Sequence, residues 1–74
     1  MLFLSRMTKV QHTFKLTREL KDEDFDRIAY MHAVYGMLAV RVLPSHELFV
    51  EYDATRLSPK EVEGTLNENG IPVA

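Results

Sequence analysis

The side chains with most chemistry to offer are His12 and His32, the acids of the 19–26 stretch, and Met7, Met31 and Met37. Two imidazoles brought together can begin a Zn(II), Cu(II) or Ni(II) site, with a nearby carboxylate as a further ligand. Each of these histidines also falls on an apolar face, where it can equally be a partly buried residue with a local hydrogen bond. His46 sits in a turn and reads as solvated. Glu19, Asp22, Glu23, Asp24 and Asp26 form the densest charge cluster. Such acids can hold a hard cation or present an electrostatic face to a basic partner. No calcium-loop spacing is present, and Lys21 and Arg27 stand among the carboxylates, so a solvated helix start is the simpler use of them. Thioethers can ligate Cu(I), but these methionines are spread over three segments and suit gap-filling in a core or surface positions.

What the chain lacks narrows the chemistry further. With no cysteine there is no disulfide, thiolate metal site or thiol nucleophile. Nine Lys and Arg against eleven Asp and Glu give a net charge of -2, without the basic excess expected of a nucleic-acid binder. There is no Ser-His-Asp order in a recognisable context and no phosphate-binding glycine loop, so neither an enzyme nor a cofactor is expected. No apolar run approaches the roughly 18 residues of a membrane span. The apolar start, Met1-Leu2-Phe3-Leu4, lacks the basic flank of a secretory signal. A cytoplasmic protein is the expectation, with Met1 or Met7 as its start.

The elements that must position these side chains follow from periodicity. A single domain is expected over 10–74, preceded by an arm over 1–9. From Val10 to Leu16 polarity alternates, with Val10, His12, Phe14 and Leu16 on the inner face of a strand. A helix follows, with Asp22 as N-cap, an apolar stripe of Phe25, Ile28, Ala29, His32 and Tyr35, and Gly36 as its stop. The segments 38–42 and 48–52 form a hairpin across Leu43 to Glu47, broken by Pro44 and Ser45, placing Phe49 and Leu43 on the face away from the helices. Ser58, Pro59 and Glu61 spell a capped helix start, stapled by Leu57 and Val62. Asn69-Gly70 ends that helix, and Ile71-Pro72-Val73 begins a last strand that stops almost at once. The order is β-α-β-β-α-β: an α+β, ferredoxin-like sandwich with two helices on one face of an antiparallel sheet and a truncated fourth strand.

Thr13-Phe14-Lys15-Leu16, the stretch from Gly36 to Val42, Val50-Glu51-Tyr52-Asp53, the capped start from Leu57 to Val62 and Asn69-Gly70-Ile71-Pro72-Val73 together resemble the heavy-metal-associated (HMA) family. That family comprises copper chaperones, mercury-binding proteins and domains of metal-pumping ATPases, and the resemblance covers roughly residues 10 to 73. It implies a Met-x-Cys-x-x-Cys loop after the first strand, but the corresponding positions here are Glu19, Lys21 and Asp24. No soft ligand stands among them, so no metal is expected at Lys21 and Asp24. The resemblance therefore implies a degenerate, HMA-like interaction or accessory module, with a possible tie to metal homeostasis. A metal binder using His12, His32 and carboxylates is the alternative. Family members meet partners with this loop, which makes Glu19, Asp22, Glu23, Asp24 and Asp26 candidate docking residues, joined by Phe49 on the open sheet face. A short fourth strand leaves one edge of the first strand open, inviting another chain. The arm, with Leu2, Phe3 and Leu4, is a candidate cover for that edge in its own domain or in a homodimer.

Overall fold

The alternation at 10–16 becomes strand β1 (Lys9–Lys15) in a computed structural model of the chain, which describes residues 8–74. Most of the expected arm, residues 1–7, including Met7, lies outside the described residues, and Lys9 belongs to the strand rather than to the arm. Helix α1 (Asp22–Met31), strands β2 (Met37–Leu43) and β3 (Glu47–Asp53) and helix α2 (Pro59–Glu68) follow. The three strands form one antiparallel sheet in the order β1-β3-β2. Its register runs from Lys9↔Asp53 to Lys15↔Glu47 on one side of β3, and from Met37↔Tyr52 to Leu43↔Glu47 on the other. The chain is thus a small α+β domain. No described helix is long and apolar enough to cross a membrane.

The core collects on one face of the sheet. Alternate β3 residues Leu48, Val50 and Tyr52 join Phe14, Val40, Ile28, Met31, Val62 and Leu66 in a single buried cluster. Both helices therefore supply side chains to the face set by the strand period. In α2 the local signals match the structure. The Ser58 hydroxyl accepts the Glu61 amide at 3.1 Å, and the Glu61 carboxylate accepts the Ser58 amide at 2.8 Å.

In α1 the expected stripe is corrected. The buried residues are Asp24, Ile28 and Met31, while Phe25 and Tyr35 are exposed. The helix begins with Lys21 as N-cap, not Asp22, and ends at Met31 with His32 as C-cap, so Tyr35 lies beyond it. Gly36 is not the residue that caps the helix. Its φ of +92° and its carbonyl, which accepts the Asp53 amide at 2.8 Å, serve the entry into β2. A Cβ there would stand 2.9 Å from the Leu57 side chain, so space as well as backbone angle calls for glycine.

The expected last strand is a single bridge, Leu16↔Val73. It is flanked by hydrogen bonds from the Ala74 amide to the Lys15 carbonyl (2.9 Å) and from the Thr17 amide to the Pro72 carbonyl (2.8 Å). On the other side of β1, the Thr8 carbonyl accepts from Ala54 and the Leu16 amide donates to His46. Even-numbered residues of β1 therefore point their backbone groups at β3, and Lys9, Gln11, Thr13 and Lys15 point theirs outward. Among the described residues, nothing pairs with the outward groups of residues 9–13.

Candidate functional site

Two arrangements beside β1 stand out, and the first is the loop leading to α1. Asp24 is fully buried there, yet charged neighbours surround it. Arg18 meets both of its carboxylate oxygens, at 2.7 and 3.1 Å, a forked pairing that fits guanidinium to carboxylate. Arg27 adds a bond at 3.2 Å, and the Lys21 backbone amide donates at 2.8 Å. The Asp24 carboxyl is consequently held well below the ordinary carboxylate range. The Arg18 hydrogen bond is the largest cause and the Lys21 amide the next, against the opposing effect of burial. This clasp ties the loop to the first turn of α1.

It also corrects the docking set. Asp24 is spent inside the protein and offers a partner nothing, whereas Glu19, Asp22, Glu23 and Asp26 are exposed. Glu19, Lys21 and Asp24 do not make a soft-ion site, since Asp24 is already saturated and Lys21 contributes an ammonium.

The histidines are not brought together. His12 is exposed, with its ring 4.4 Å from that of Phe14. His32 is also exposed; its Nε2 accepts the Val40 amide of β2 at 3.3 Å, and its Nδ1 lies 3.3 Å from the Ala29 carbonyl. With β3 between β1 and β2, the two rings serve different parts of the molecule. Among the described residues no three His, Cys, Asp or Glu side chains are grouped as metal ligands. Met31 and Met37 are buried in the core. Phe49 lies on the sheet face away from the helices, half-buried, and the Arg41 guanidinium stacks 4.7 Å from its ring centroid, so its face is already in use.

The second arrangement is a groove of about 300 Å³ between β1 and the start of α2. His12, Phe14 and Tyr52 form its sheet wall, and Pro59, Lys60, Val62 and Glu63 its helix wall. The capping box fixes where α2 begins, and β1's alternation turns His12 and Phe14 toward it. His12 and Phe14 belong to the strand whose outer edge at residues 9–13 is unpaired among the described residues, so an open hydrogen-bonding ladder and a largely apolar groove share one strand. A smaller hollow of about 250 Å³ lies between Leu20, Phe25 and the β2–β3 turn. Sequence reasoning reached the open edge through the brevity of segment 71–73. It missed the groove, whose helix wall lies about fifty residues from β1 and carries no local signature.

Compared with protein-family models, curated proteins and solved structures, the chain matches none.

Proposed function

We propose that the chain is a non-enzymatic protein-interaction module on a ferredoxin-like β-α-β-β-α-β plan, similar to HMA domains without their thiolate site, and that β1's outer edge is its working surface. One observation carries this reading: among the described residues the outward backbone groups of residues 9–13 have no partner, and His12 and Phe14 of the same strand line the β1–α2 groove. An added strand draws affinity from main-chain hydrogen bonds and specificity from alternate side chains entering a pocket, and both elements are in place here. The Leu16↔Val73 bridge supports the ferredoxin-like plan, because it lies where a fourth strand beside β1 would begin. The resemblance in 10–73 supports a partner drawn from metal homeostasis.

The test is unbiased peptide selection. A random peptide library is panned against the immobilised chain, and selected peptides are mapped by backbone amide shifts. Shifts are expected at Gln11 and Thr13 and along the start of α2. Failure to select any peptide, or shifts confined to the acidic first turn of α1 or to Arg41 and Phe49, would refute the reading.

A further inference from the structure

The partner's chemistry can be read one step further, on the premise that β1's edge is the working surface. Lys9 and Lys15 stand at the two ends of β1, and Lys60 stands on the groove's helix wall. All three are exposed, and among the described residues none forms an ion pair. The acids closest in register are engaged elsewhere. Glu47, opposite Lys15, accepts from the Ser45 hydroxyl at 2.7 Å. Glu51 accepts from the Gln11 side chain at 2.6 Å. Asp53, opposite Lys9, turns to Thr55 at 2.6 Å and Arg56 at 3.3 Å. The three β3 carboxylates thus turn to other partners, and Glu63 balances Lys60 on the groove's helix wall, so Lys9 and Lys15 are the two ammonium groups this edge offers among the described residues.

The bridge at Val73 sets direction and phase. A strand continuing that ladder runs antiparallel to β1, its successive residues standing opposite Phe14, Thr13, His12, Gln11, Val10 and Lys9. Those opposite Phe14, His12 and Val10 share the helix face, the first two beside the groove-lining residues; those opposite Thr13, Gln11 and Lys9 face outward. We propose that the edge takes an extended acidic segment of a partner protein as an antiparallel strand, its apolar side chains in the β1–α2 groove and its carboxylates beside Lys9 and Lys15. A second copy of this chain fits poorly, because its own lysine-bearing edge would meet the first. The lysines thus exclude like-charged strands while admitting an acidic one.

The experiment uses two end-blocked hexapeptides, Val-Glu-Val-Glu-Val-Glu and Val-Lys-Val-Lys-Val-Lys, titrated into the full chain with amide shifts as readout. The acidic peptide is expected to bind about tenfold more tightly, to shift Gln11 and Thr13, and to weaken with salt. The double variant Lys9→Glu, Lys15→Glu, checked by melting to be folded, is expected to reverse the preference. Equal binding, or preference of the native chain for the lysine peptide at this edge, overturns the acidic assignment and leaves the interaction reading standing. Shifts at β1 with neither peptide overturn both. Self-association of the free chain through β1 would overturn the acidic assignment in favour of a second copy.

Discussion

The loop leaving β1 and the outer edge of β1 are both rich in charge, and they dispose of it in opposite ways. In the loop, Arg18, Asp24, Arg27 and the Lys21 amide satisfy one another around a carboxylate with no exposure. Along the edge, Lys9 and Lys15 are exposed and without ion pairs among the described residues, as is Lys60 on the helix wall of the groove, and the outward backbone groups of 9–13 also lack partners there. Charges that close on themselves hold a fold together. Charges left open cost little in water but gain when something binds, so the two regions should respond differently to the same kinds of substitution.

The sharpest break comes from Asp24→Asn. Removing one member of a buried charge cluster leaves the others uncompensated, although both arginines here can turn partly to solvent. The melting midpoint is expected to fall by on the order of 10 °C, read by circular dichroism. A fall of only a degree or two would mean that the loop is not held by its charges, and the contrast with the edge would vanish.

Acid probes the same contrast without mutation. Asp24 is lowered chiefly by Arg18, and Asp53 is lowered chiefly by the Thr55 hydroxyl. A carboxyl with a depressed folded pKa contributes stability that is present above its unfolded pKa and is lost as pH falls toward the folded value. The native midpoint should therefore drop as pH falls below about 4. Asp24→Asn should show a shallower drop, with Asp53 supplying the remainder. Identical slopes for the two proteins would assign the acid sensitivity to other groups.

Within the clasp the two arginines are unequal. Arg18 makes the forked contact and reaches the Glu19 carbonyl at 3.0 Å, whereas Arg27 makes one bond at 3.2 Å. Arg18→Ala is expected to lower the midpoint by ~5 °C and Arg27→Ala by ~2 °C, since both side chains are more than two-fifths exposed. The reverse order would shift the centre of the clasp from the loop to the helix.

These contacts also explain what could be read from the chain and what could not. Ser58 and Glu61 meet three residues apart, and the hairpin turns within a few residues at Pro44 and Ser45, so sequence alone locates them. The stripe of α1 could not be read, because an aspartate occupies its buried line and is tolerated there only through Arg18, six residues upstream. Alternation turns His12 inward, which gives its face correctly. Its exposure depends on how far α2 reaches over β1, a distance that no local pattern encodes.

The smallest effect is the most discriminating, because its sign differs from the rest. Lys60 lies in the first turn of α2, where the helix dipole opposes a cation by about 0.3–1 kcal/mol. It forms no ion pair among the described residues, and alanine is the better helix former there. Lys60→Ala is therefore expected to raise stability by about 0.5 kcal/mol in urea unfolding, with the denaturant slope unchanged. A side chain that slightly weakens its own domain is one the domain does not use for packing, as expected of a wall left open to another molecule. If Lys60→Ala instead lowers stability, then Lys60 is held by the domain, and the groove's helix wall belongs with the clasp as fold rather than as surface.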